Sequence, residues 1–106
     1  MTNQIIKPRK NEVMHTVAKI MTAKLQDKGG SSFAVWEPNL NAIVFHFKGN
    51  KAAAAMVFDD DLNHVETRAM ASKRAGIPEL IEYKMVKNLN NWYGPLAAKA
   101  HQLFVA

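Results

Sequence analysis

The sequence predicts an α+β fold: one small domain in the order α-β-β-β-α-α-α, with a three-stranded antiparallel meander and helices packed mainly on one of its faces. Three observations lead there. Segments with helical apolar spacing flank a central stretch of alternating residues. The five glycines and four prolines fall where those segments start or stop. The links between the alternating runs are short and rich in turn formers, and such links join antiparallel neighbours, not parallel ones.

The first ten residues, which include Lys7, Pro8, Arg9 and Lys10, read as a basic and mobile N-terminal arm, leaving residues 11–106 as the single domain. From Val13 to Leu25 the apolar residues Val13, Val17, Ile20, Met21 and Leu25 recur at helical spacing. Asn11 serves as the expected N-cap and Gly29 as the terminator.

Strands are expected over 31–37 and 42–48, followed by a third over 52–58. On this reading Phe33, Val35, Ile43, Phe45 and Phe47 face the core, while Trp36, Val44, His46 and Lys48 line the opposite face. Pro38-Asn39-Leu40-Asn41 and Lys48-Gly49-Asn50-Lys51 supply the turns, the second of a tight type II′ kind. The third strand rests on its hairpin signal and its Met56-Val57-Phe58 ending, against the helical preference of four consecutive alanines.

Asp59-Asp60-Asp61 reads as the cap of a second helix using Leu62, Val65 and Ala69 up to Gly76. Pro78 opens a third helix with Ile81, Met85, Leu89 and Trp92 as its buried stripe, and Val86 and Tyr93 as its shoulder. Gly94-Pro95 ends it, and 96–104 forms a short terminal helix.

Composition excludes some chemistry. With no cysteine there is no disulfide framework, no thiolate nucleophile and no cysteine-based metal centre. The longest apolar run, Ala52 to Phe58, is far short of the roughly 20 residues a bilayer-crossing helix needs. The N-terminus lacks the apolar run of a secretory signal, so a cytoplasmic location is expected.

The net charge of +5 favours acidic partners: nucleic acid or an acidic protein surface. Lys7, Arg9 and Lys10 lie in a segment rich in cations, and Arg68, Lys73 and Arg74 form a second cluster. These six residues are the candidate contacts to a nucleic-acid phosphate backbone, in a noncatalytic binding protein with no cofactor and no membrane partner. The other reading is a protein-interaction module, a small inhibitor or adaptor docking on an acidic protein surface. An Ala-rich last strand with a poorly protected edge adds homodimer pairing through that edge.

Trp36 and His46 on an open sheet face suit base stacking. Residues 67–88 have the outline of a helix-turn-helix, although Glu79 and Glu82 place negative charge at the end that approaches DNA. Asp59, Asp60, Asp61, His64 and Glu66 form the one group suited to a hard metal ion or acid-base work. The order helix, three strands, helix resembles that of double-stranded-RNA-binding domains. Those domains present lysines where this chain has Asp59, Asp60 and Asp61, so the resemblance carries no functional residue.

Overall fold

The computed structural model describes residues 2–27, 29–47, 51–69 and 79–106. Its order is helix α1 (Thr2–Gln26), strand β1 (Phe33–Glu37), a 3-10 turn (Pro38–Leu40), strands β2 (Ala42–Phe47), β3 (Lys51–Phe58) and β4 (His64–Ala69), and helix α2 (Glu79–Val105). The strands form one antiparallel sheet in the order β1-β2-β3-β4. The α+β class and the meander agree with the sequence, but among the described residues the sheet has four strands, and two long helices stand where four were expected.

Both helices pack on one face of the sheet. Met14, Val17, Ala18 and Met21 of α1 and Leu89, Tyr93, Ala97 and Ala100 of α2 share one core with Ala34, Trp36, Ile43, Phe45, Ala54, Met56 and Phe58 of the strands. Burying each large side chain there stabilises the fold by about 1.5–3 kcal/mol. On the opposite face Ala42, Val44 and Ala55 form a small second cluster with Val57 against it. The register explains the alanines of β3: Ala54 faces Phe45 under the helices, where a small side chain lets them approach. A register shift between Phe45 and His46 leaves Ala53 as the extra residue of a bulge.

The missing strand is a matter of the Asp59 turn. Asp59 Oδ1 accepts the backbone N–H of Asp61 and of Asn63, both at 2.9 Å, which is the bonding an N-cap aspartate also offers. Here the chain reverses instead. The Leu62 N–H donates to Asp59 O at 3.0 Å, the Asp59 N–H donates to Asn63 O at 2.9 Å, and Leu62 adopts φ +63°. Over residues 64–69 the expected second helix is therefore β4, which pairs with β3 from Phe58↔His64 to Ala54↔Ala69, while its expected remainder up to Gly76 lies outside the described residues. Leu62 carries its left-handed backbone because its side chain is fully buried, whereas Val65, which the helical reading placed beside it, is exposed.

Other boundaries move as well. Helix α1 runs back through residues 2–10, so Pro8 and Asn11 lie inside it and residues 11–26 are not its whole extent. Gly29, with φ +87°, terminates it as expected, its N–H donating to Gln26 O at 2.9 Å. Gly94-Pro95 does not break α2, because Tyr93 on one side and Ala97 and Ala100 on the other are all buried against the core. In β1 the inward residues are Ala34 and Trp36, one position out of phase with the expected Phe33 and Val35. Trp36 is held there because its indole Nε1–H donates to Asn11 Oδ1 of α1 at 2.9 Å. The Lys48-Gly49-Asn50 turn lies outside the described residues.

Candidate interaction surface

Of the six candidate phosphate contacts, the side chains of Arg9, Lys10 and Arg68 are described; the Lys7 side chain and the whole of Lys73 and Arg74 lie outside the described residues. Each described cation faces an acceptor within the fold. Arg9 reaches the last turn of α2, where Nε donates to Phe104 O at 2.9 Å and Nη2 to Leu103 O at 3.2 Å and Ala106 O at 2.6 Å. Those carbonyls have no partner within their own helix, and a guanidinium there also offsets the negative end of the helix dipole. Lys10 Nζ lies 3.7 Å from Asp60, one of the aspartate trio. Arg68 lies 3.9 Å from Glu66, and both are exposed. Arg9 and Lys10 sit on α1 and Arg68 stands on strand β4, so the three described cations meet carbonyls and carboxylates, not one another.

The sheet edges are guarded. The Ala-rich strand is interior, with β4 on its far side, which corrects the basis for edge pairing through it. At the β1 edge, Thr22 Oγ1 accepts the Ala34 N–H at 2.9 Å and donates to Ala34 O at 3.0 Å, occupying two of the groups a further strand would use. The β4 edge carries Glu66 and Arg68 and a register shift near its start.

The polar groups near the Asp59 turn are similarly occupied. Asp59 is held below the ordinary carboxylate range, chiefly by the Asn63 N–H. His64 Nε2 donates to Glu66 O and Thr67 Oγ1, and half-burial lowers its pKa from the usual imidazole value. His101 Nδ1 donates to Asp61 O at 2.7 Å. Among the described residues no three such groups converge to hold a metal ion. Trp36 is buried, so a base-stacking platform on the sheet lacks its aromatic; residues 67–69 of the helix-turn-helix outline belong to β4, and the rest of its first helix and its turn lie outside the described residues.

The outer side of the helix pair is different. Contacts fix how the helices lie. Arg9 meets the end of α2, while Lys24 Nζ donates to Trp92 O and sits 5.1 Å from the centre of the Tyr93 ring. Hence α1 and α2 run antiparallel. On α2, Asn90 accepts a hydrogen bond from Thr67 of β4 and His101 meets the β3-β4 turn, so that flank faces the sheet edge. The other flank, with Trp92, Leu96, Lys99 and Leu103 at spacings of four, three and four, borders α1. Its counterpart on α1 is Val13, Val17, Ile20 and Lys24, with the same spacings.

Along this seam three large apolar side chains stand open: Trp92 is 57% exposed, Ile20 46% and Leu103 44%. Val13 and Leu96 are half-buried beneath them. The cations of the seam are Arg9, Lys24 and Lys99, and neither stripe contains a carboxylate. Sequence periodicity alone assigned Ile20 and Trp92 to the core. The available signal was the second stripe, 92-96-99-103, adjoining the buried one and apolar at three of four positions.

No family model matches this chain, and no curated protein or solved structure matches it.

Proposed function

We propose that this protein is a noncatalytic interaction module, a small adaptor or inhibitor that docks on an acidic protein surface through the outer seam of its helix pair. One observation carries the reading: Trp92, Ile20 and Leu103 are 57%, 46% and 44% exposed on the flanks of α1 and α2 that border one another, beside Arg9, Lys24 and Lys99. Soluble domains seldom leave a contiguous apolar line open without a partner, and exposed aromatics beside arginine and lysine characterise binding surfaces. A net charge of +5 supports an acidic counterpart. The engagement of Asp59, His64 and His101 in turns and backbone bonds supports a noncatalytic role.

Phosphate contact through Lys7, Arg9, Lys10, Arg68, Lys73 and Arg74 has less support, because Lys10 and Arg68 each stand against a carboxylate and Arg68 lies on β4 while Arg9 and Lys10 lie on α1. The two readings separate in one experiment. Immobilised protein is exposed to cell extract with and without nuclease, beside a Trp92→Ala variant. The interaction reading expects a protein retained after nuclease treatment and lost with Trp92→Ala. Retention that vanishes with nuclease, together with oligonucleotide binding that weakens steeply with salt, contradicts it.

A further inference from the structure

We infer that the seam receives one amphipathic helix whose apolar stripe is bordered by aspartate or glutamate; this rests on the reading of the protein as an interaction module. The two stripes are antiparallel and overlap from Arg9 beside Phe104 to Lys24 beside Trp92. Residues 9–24 of a helix span about 24 Å at ~1.5 Å per residue, a length that a ligand helix of about four turns matches. A third helix laid along these two flanks sets its side chains over the partly buried Val13 and Leu96.

Charge selects the occupant. The Arg9 guanidinium and Lys24 ammonium mark the two ends of the overlap, Lys99 lies between them, and the stripes hold no carboxylate. A second copy would set these cations against their equals, and like charges across an interface cost affinity. An acidic flank meets all three. Exposed Trp92, beside Lys24, supplies the anchor, since tryptophan is among the residue types that concentrate binding energy in interfaces.

The probe is a fluorescein-labelled synthetic helix of about 18 residues, sized to the overlap, with leucines at alternating three- and four-residue spacing and glutamates on the flanks. Its control has lysines in place of the glutamates. Fluorescence anisotropy with the full chain is expected to show the acidic peptide binding at least about tenfold more tightly than the basic one, an advantage reduced by added salt. Trp92→Ala and, independently, Ile20→Ser are expected to weaken it by about tenfold or more while circular dichroism stays unchanged. Equal binding of the two peptides, or no binding of either, overturns the inference, as does light scattering that shows the free protein dimerising through the seam. If neither peptide binds while Trp92→Ala still loses the extract protein, the helical ligand is wrong and the interaction module stands. If Trp92→Ala retains every extract protein, both fall.

Discussion

At Thr22 one hydroxyl serves both backbone groups of Ala34, tying the middle of α1 to the edge of the sheet. Thr22→Val keeps the shape and removes both bonds, leaving the Ala34 N–H and C=O to find other partners. A loss of about 1–3 kcal/mol in denaturant unfolding is expected; a neutral result would mean that water replaces the hydroxyl without penalty. Two other residues set the response to acid. The lowered pKa of half-buried His64 means that its contribution is complete above the ordinary value of 6.5 and is lost as pH falls below it. The lowered pKa of Asp59 means that its contribution is complete above the ordinary value of 3.8 and is lost as pH falls toward its folded value. Stability should therefore fall in two stages on acidification. His64→Gln removes the first; Asp59→Asn, which retains an acceptor for the turn, removes the second. A single stage unaffected by either variant would show that other groups govern acid unfolding.

At the scale of elements, the parts that periodicity revealed are those where one face alone decides. Val17 and Met21 mark the buried side of α1, and Ile43 and Phe45 the inward phase of β2, as their spacing indicates. Periodicity failed where two outcomes share a local cue. The Asp59 carboxylate takes the same backbone donors whether the chain enters a helix or a hairpin, and the choice lies with the pairing of β4 to β3. Gly94-Pro95 failed for the opposite reason: a strong local breaker is overridden because the helix is buried on both sides of it. That override implies a testable cost. A Cβ at Gly94 meets nothing within 4 Å, so Gly94→Ala should stabilise the protein by about 0.5–1 kcal/mol. Pro95→Ala, at an exposed position, should add up to about 3 kcal/mol by restoring a helix hydrogen bond. Both shifts are read as a rise in Tm. A fall would place a break at 94–95 that the continuous helix does not have. Arg9→Met removes the guanidinium from the α2 terminus and should cost about 1 kcal/mol, seen as earlier hydrogen exchange in the last turn.

For the whole molecule, the layers decide what is left for binding. One sheet face is covered by the helices, and on the other the little-exposed Ala42 and Ala55 line a cavity of about 310 Å³ with Leu40, Val57, Arg68 and Ala69. Thr22 occupies one sheet edge, and the charges of β4 mark the other. Among the described residues, no helix is long and apolar enough to cross a membrane. Of the open apolar side chains, Ile20, Trp92 and Leu103 lie on the outer helix seam while Leu40, Val65 and Val105 lie outside its two stripes, and the seam's placement depends on how α1 and α2 cross the sheet, which no single-helix pattern contains. A one-residue difference in phase made Tyr93 core and Trp92 surface. The two tryptophans consequently report on opposite sides of the helix layer: Trp36 is 2% exposed and Trp92 57%. Acrylamide quenching of the wild type and of Trp92→Phe, free and with the protein retained from extract, tests the seam most directly. Strong quenching that Trp92→Phe abolishes and the bound partner suppresses is the predicted result. Equal quenching of the two free proteins, or quenching that the partner leaves untouched, would contradict it.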